Sequence, residues 1–232
     1  MKIEVIVQNE QDAMDAEKYG ADRLELVSAV DEGGLTPSYG AMNRVLKSVK
    51  IPVQVMIRPH SFGYIYDKDD IQVMKEDIEM AKMLGANGIV FGCLNESGDI
   101  DEALLNTVVE IADGMEITFH RAFDHARDQK EAYKTICQNS HAIKRILTSG
   151  GKKNAVEGVK QIQELVKLSK SHNCPYIMPG AGLNVDNITE IALETKAHEF
   201  HFGSGVRYGL SFRSPINGEK LKTIVQKLKA LT

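Results

Sequence analysis

The chain is poor in cysteine, has no strong excess of charge and contains no long apolar run. Its three cysteines, Cys93, Cys137 and Cys174, lie far apart and in no zinc-type spacing, which favours reduced thiols over a disulfide framework. The net charge of −4, with Lys and Arg spread throughout, argues against a nucleic-acid partner. No run could span a membrane, and Glu4 lies where a signal peptide would be apolar. We therefore expect a cytoplasmic protein without a membrane partner.

Apolar runs of strand length alternate with helical patterns eight times. The predicted strands are Ile3–Val7, Arg23–Val27, Val53–Ile57, Gly88–Phe91, Glu116–Phe119, Arg145–Thr148, Tyr176–Pro179 and Glu199–Phe202. The predicted helices are Asn9–Tyr19, Ser38–Ser48, Lys68–Leu84, Asp101–Ile111, Gln129–Gln138, Val156–His172, Asn187–Thr195 and Gly218–Leu231. This order implies parallel strands, and eight units favour closure because a closed barrel has no edges. We predict an α/β protein with a single (β/α)8 TIM-barrel domain over residues 1–232.

Charged groups cluster at the predicted carboxyl ends of these strands, where barrels carry their chemistry. The segment from Thr118 to Asp124 is the clearest case, since an apolar strand ends in a His, an Arg and later an Asp. Strand alternation also turns several charged side chains towards the barrel interior, where an unpaired charge is costly. The candidate catalytic residues are Glu4, Glu25, Arg58, His120, Arg121, Asp124 and His201.

This set offers a general base in His120 or Glu25, an anion clamp in Arg58 and Arg121, and an orienting acid in Asp124. The alternative is an internal salt-bridge network, for instance Glu25 with Arg58 or Arg121. A network explains a single buried charge well, but it explains less well why so many of these groups fall at strand ends.

Glycine-rich turns follow the last three predicted strands, where barrels often bind phosphate on free backbone N–H groups. The candidate anion-binding residues are Ser149, Gly150, Gly180, Gly182, Gly203, Ser204 and Gly205. Ordinary tight turns are the competing interpretation. The Gly-x-Ser-x-Gly and P-loop motifs are absent, and no Lys lies inside or at the carboxyl end of a predicted strand, which argues against Schiff-base chemistry.

Several motifs resemble those of the CutC family of copper homeostasis proteins. They are Gly20–Leu26, Glu32–Ser38, Met56–Pro59, Thr118–Asp124, Arg145–Gly150, Met178–Gly182 and Glu199–His201, and they span nearly the whole chain. The resemblance implies a barrel fold, a cytoplasmic location, a homodimer and a role in copper tolerance or trafficking. Ile6 and Val27 replace cysteines that are common in the family, so a copper site implied by the resemblance would use His120, His201 and Cys93.

Two functional hypotheses follow, and the sequence does not decide whether the protein is an enzyme. The first is a CutC-type copper homeostasis protein that binds copper ions. The second is a barrel enzyme acting on a small sugar, polyol or phosphorylated metabolite, by acid/base chemistry or with a divalent metal. Both predict a small-molecule or metal-ion ligand at the barrel mouth. A scaffold role without a ligand would need a mouth whose charges are all paired with one another.

Overall fold

Eight parallel strands form a nearly closed barrel in the computed structural model, which describes residues 1–170 and 174–231. The strands are β1 (Lys2–Val7), β2 (Arg23–Leu26), β3 (Val53–Met56), β4 (Gly88–Phe91), β5 (Glu116–Phe119), β6 (Ile143–Thr148), β7 (Tyr176–Pro179) and β8 (Glu199–Phe202). Each strand pairs in parallel with its chain neighbour from β1 to β7, and β8 pairs with β1. Because β7 and β8 also lie in contact, the predicted TIM barrel is confirmed.

A helix follows every strand and packs on the outside of the barrel. The helices are α1 (Glu10–Lys18), α2 (Tyr39–Ser48), α3 (Lys68–Met83), α4 (Glu102–Ile111), α5 (Gln129–Cys137), α6 (Val159–Ser169), α7 (Ile188–Thr195) and α8 (Gly218–Lys229). The predicted sixth helix began three residues early, since residues 156–158 form a turn, and its predicted end at His172 lies outside the described residues. No helix in the described ranges is long and apolar enough to cross a membrane.

Strand alternation divides apolar from charged side chains as the pattern predicted. Leu24, Leu26, Phe200 and Phe202 are fully buried in the core between strands and helices. The opposite faces of the same strands carry charges into the barrel. The tight register of parallel pairs then brings these charges together: His201 lies level with Glu4 across the β1–β8 pair.

An ion-pair network fills the lower half of the barrel. Arg23 pairs with Glu4 and, at 2.5 Å, with Glu199. Arg145 pairs with Glu199 at 3.1 Å and with Glu116 at 2.6 Å. The network occupies the barrel interior beneath the carboxyl ends of the strands.

The expectation of reduced thiols is wrong for two of the three cysteines. Cys137 ends α5 and Cys174 lies just before β7, and the two form a disulfide with their Cα atoms 5.0 Å apart. Their separation of 37 residues hid the pairing in the sequence, because the barrel brings the ends of neighbouring units together only after folding. Cys93 has a free, buried thiol.

Candidate functional site

A cavity of about 210 Å³ opens at the carboxyl ends of the strands. Its wall includes nine of the predicted site residues: Glu25, Arg58, His120, Arg121, Gly182, His201, Gly203, Ser204 and Gly205. Six others lie outside the wall: Glu4, Cys93, Asp124, Ser149, Gly150 and Gly180. The structure thus brings most of the predicted charged cluster into one enclosure and places the rest behind it.

Two buried carboxylates lie on either side of His201. The Nδ1 atom of His201 is 2.8 Å from Glu4 Oε1, and its Nε2 atom is 3.6 Å from Glu25 Oε2. Since the Glu4 carboxylate can only accept, Nδ1–H donates to it, and Nε2 is the atom turned towards Glu25. A carboxylate that receives the far N–H of a histidine is the usual support of a metal-ligating imidazole.

Burial and charge give these three groups very different proton affinities. Burial alone would raise the pKa of Glu4, but Arg23 and the hydrogen bond from His201 outweigh it and hold that pKa far below its usual range. Burial raises the pKa of Glu25 to about 7, against the opposing charge of His201. Burial would lower the pKa of His201, but Glu25 and Glu4 raise it above its usual value. Of the two groups that face the cavity, Glu25 therefore has a pKa near neutral pH, and the pKa of His201 is raised by the two carboxylates beside it.

His120 is held in the opposite way from His201. It follows β5 and begins a short 3₁₀ segment, Arg121–His125. Its Nδ1 accepts the backbone N–H of Ala122 at 3.1 Å. Burial, helped by the positive charge of Arg58, lowers the pKa of His120 to about 3. The ring is therefore neutral, its single proton is on Nε2, and it offers a hydrogen-bond donor rather than a lone pair.

Arg58 is fixed in the cavity wall by the loops that follow β2 and β3. Its Nη1 donates to the carbonyls of Glu32 and Gly34 at 3.1 and 3.3 Å, and its Nη2 to that of Gly63 at 3.4 Å. The guanidinium also lies over the ring of Tyr64, 4.8 Å from its centroid. This leaves the positive charge uncompensated by any carboxylate in the described structure, beside a cavity that could admit an anion.

Arg121 and Asp124 form an ion pair at the rim of the cavity. Asp124 accepts from Arg121 Nε at 2.8 Å, from the N–H of Ser149 at 3.0 Å and from the N–H of Gly151 at 3.0 Å. It also accepts the hydroxyl of Thr148. Burial would raise the pKa of Asp124, but these donors lower it. Asp124 thus anchors the loop after β6 and orients Arg121, which lines the cavity.

The two late glycine loops form one side of the cavity. Gly182 adopts a left-handed backbone with φ of 78°, and a Cβ on Gly205 would lie 1.9 Å from the carbonyl oxygen of Leu183. Within the described chain, the N–H groups of Gly182, Ser204 and Gly205 have no hydrogen-bond acceptor. These glycines allow the two loops to pack closely and leave backbone donors near the cavity.

Cys93 does not reach the cavity. Its thiol is buried after β4, donates to the carbonyl of Asp101 at 3.4 Å, and has a pKa raised well above its ordinary value by burial. A protonated, enclosed thiol is a poor metal ligand. A soft, thiolate-based copper(I) site therefore does not fit this mouth.

Oxygen and nitrogen donors fit a different ion. Glu4, Glu25 and His201 offer ligand atoms within 4.8 Å of one another. Glu4 is already engaged by Arg23 and His201, so Glu25 and His201 Nε2 are the pair left for a cation. Carboxylate and imidazole suit copper(II) and other divalent ions better than copper(I).

Sequence reasoning missed two aromatic wall residues, Tyr64 and Phe212. Both lie in irregular segments with no periodicity that could assign them a face. It also missed Arg23 and Arg145, which neutralise Glu4 and Glu199 beneath the site. Strand alternation carried a usable signal for Arg23, which shares a face with Glu25.

Relatives with curated names cover most of the chain. The human copper homeostasis protein cutC homolog is 42% identical over 199 residues, which are 86% of this chain and 71% of that protein. The family protein CutC of Glaesserella parasuis serovar 5 is 40% identical over 204 residues, which are 88% of this chain and 82% of that protein.

Solved structures agree with these similarities. The CutC protein of Streptococcus agalactiae superposes with a TM-score of 0.79 and 30% identity, covering 88% of this chain and 98% of that one. Phosphoribosyl anthranilate isomerase from Thermotoga maritima, at 13% identity and a TM-score of 0.66 over 99% of each chain, shares the barrel fold alone. The family model described as CutC family matches residues 1–206. The chain therefore belongs to the CutC family.

Proposed function

We propose that this protein acts in copper homeostasis, as its human relative is named to do, and that the barrel mouth is where it takes up its ligand. The observation that carries the proposal is the buried group of Glu4, His201 and Glu25. His201 is oriented by Glu4 and presents Nε2 to the cavity within 3.6 Å of Glu25. Glu25 and His201 would bind copper as copper(II), and Glu4 would hold the imidazole in place.

Proton competition gives this site a characteristic pH dependence. A cation must displace the proton of Glu25, whose pKa is raised to about 7, and that of His201, whose pKa is also raised. Metal affinity should therefore increase as the pH rises from 6 to 8, by up to about tenfold per unit for each proton released. A site built on an exposed carboxylate would show little change in this range.

The test is a competitive copper(II) titration against a chelator of known affinity. We expect Glu25→Gln and His201→Gln each to weaken binding at least tenfold, and Glu4→Gln to weaken it less. His120→Gln is the matched control, since His120 lies in the same wall but offers a donor in place of a lone pair. Equal binding by wild type and His201→Gln, or binding that depends on Cys93, would contradict the proposal.

A second candidate is an acid/base enzyme acting on a small sugar, polyol or phosphorylated metabolite. It is favoured by the presence of Glu25, with a pKa of about 7, and of neutral His120 in one cavity. A carboxyl with that pKa suits proton transfer at neutral pH, and a neutral imidazole can donate to a developing oxyanion. Dihydroxyacetone phosphate in deuterated water is a suitable probe: carbon-bound hydrogen should exchange with wild type and fail to exchange with Glu25→Gln. Equal exchange rates would count against this candidate.

A further inference from the structure

Three residues that line the cavity each carry a buried side-chain atom without a hydrogen-bond partner within the described part of the chain. The atoms are Glu25 Oε1, Arg58 Nε and His120 Nε2. The three residues are only 2%, 4% and 4% exposed. Leaving a buried polar atom unpaired is costly, so three such atoms on residues around one cavity indicate a ligand that would pair with them.

The three atoms differ in whether they donate or accept a hydrogen bond. Arg58 Nε always carries a hydrogen, and His120 Nε2 carries one because its Nδ1 accepts from the Ala122 N–H. Both are therefore donors, one of them on a cation. Glu25 Oε1 is an acceptor, and it is distinct from the Oε2 atom that faces His201. The wall thus presents two donors for an anion and one acceptor for a hydroxyl group.

We propose that the mouth binds a small 2-hydroxycarboxylate, with its carboxylate on Arg58 and His120 and its hydroxyl donating to Glu25. The donors are positioned in advance, since three loop carbonyls hold the Arg58 guanidinium and a backbone N–H fixes the His120 ring. The cavity of about 210 Å³ has room for roughly seven water molecules, which limits the ligand to a few carbons. The apolar wall residues Ile6 and Met56 would contact its carbon chain.

This inference rests on the proposal that the mouth is the ligand site, but it does not require copper. The experiment is a calorimetric titration of metal-free protein with lactate, propionate, lactamide and inorganic phosphate. Propionate lacks only the hydroxyl of lactate, and lactamide lacks only the charge. We expect lactate to bind at least tenfold more tightly than either, because a site that pairs a hydroxyl discriminates strongly against its absence.

Single substitutions identify which residue contacts the hydroxyl and which residues contact the carboxylate of lactate. Glu25→Leu should bring lactate down to the affinity of propionate, while His120→Gln and Arg58→Gln should weaken both acids. Arg44→Gln, at an exposed surface pair with Glu10, is the matched control, and circular dichroism confirms folding of each variant.

Equal affinity for lactate and propionate, or saturable binding of phosphate alone, would overturn the assignment, as would binding of none of the four. If the wild-type protein binds lactate but not copper(II), only the copper proposal is contradicted. If it binds copper(II) but not lactate, only the hydroxycarboxylate proposal is contradicted.

Discussion

The two histidines of the mouth differ because of what each Nδ1 atom contacts. His201 Nδ1 donates to the Glu4 carboxylate, which leaves its Nε2 as a potential ligand. His120 Nδ1 accepts from the Ala122 N–H, which leaves its Nε2 as a donor. One residue type therefore serves two roles in a single cavity, and the partner of Nδ1 decides which role each histidine has: a side-chain carboxylate for His201 and a backbone N–H for His120.

The pH dependence of stability reports the state of His120. Its pKa falls from 6.5 to about 3 in the folded protein. Below pH 6.5 the unfolded chain therefore binds a proton at His120 that the folded protein does not bind. The contribution of neutral His120 to the unfolding free energy is therefore complete above pH 6.5, and it is lost progressively as the pH falls towards 3. We expect wild type to lose about 2 kcal/mol relative to His120→Gln between pH 6.5 and pH 5, measured by urea unfolding.

The exposed His141, in the turn before β6, provides the control variant His141→Gln. Its unfolding free energy should follow that of wild type across the same range. If the difference in unfolding free energy between wild type and His120→Gln stays the same from pH 6.5 to pH 5, His120 accepts a proton in the folded state. Its assignment as a neutral donor would then fail.

The sequence was sufficient to identify the Glu, Arg and His residues of the mouth, but not their roles. Glu25 and His201 were predicted to face inward from strand alternation, and both line the cavity. His120 was predicted as a base or a metal ligand, whereas its Nδ1 contact makes Nε2 a donor. That contact depends on the turn of a short 3₁₀ segment, which no periodicity encodes.

At the scale of elements, the close packing of the loops after β7 and β8 shapes one side of the cavity. A Cβ at position 205 would lie 1.9 Å from the Leu183 carbonyl oxygen, so Gly205→Ala must push the two loops apart. We expect a loss of about 1–3 kcal/mol in unfolding free energy together with weaker binding of ligands at the mouth.

Gly40→Ala is the matched control for this substitution. Gly40 lies in α2, with no neighbouring atom closer than 4.0 Å to a new Cβ. Since alanine favours a helix more than glycine does, this variant should gain about 0.5–1 kcal/mol. A Gly205→Ala variant as stable as wild type, with unchanged binding, would show that the loops adapt and that their packing does not shape the site.

The elements themselves were predicted well, because a buried parallel strand and an amphipathic helix each leave a regular pattern. The loops were not. Asp124 was predicted as an orienting acid in the mouth, and it does hold Arg121, but it lies outside the cavity wall and also accepts from the backbone N–H groups of Ser149 and Gly151. Which donors reach a loop carboxylate depends on how neighbouring units pack, and the sequence of one loop does not contain that information.

At the scale of the whole molecule, the Cys137–Cys174 disulfide links α5 to the start of β7, at the end of the barrel away from the mouth. Closing a span of 37 residues should stabilise the fold by about 3–4 kcal/mol through the lost freedom of the unfolded chain. We expect a reductant to lower the unfolding free energy by that amount in wild type and to have no effect on Cys137→Ser.

Thiol counting in denaturant provides the independent check. Untreated protein should show one reactive thiol, that of Cys93, and reduced protein should show three. Three thiols in protein purified without reductant would contradict the linkage. Copper(II) binding should be the same in both forms, because the disulfide is far from Glu25 and His201.

The most direct test of the central claim, that Glu25 and His201 hold the metal at the mouth, is electron paramagnetic resonance of the copper(II)-loaded protein. The account predicts one coordinated imidazole nitrogen with oxygen ligands and no sulfur. That nitrogen signal should disappear in His201→Gln and persist in His120→Gln. A thiolate signature, or an imidazole signal that survives His201→Gln, would contradict it.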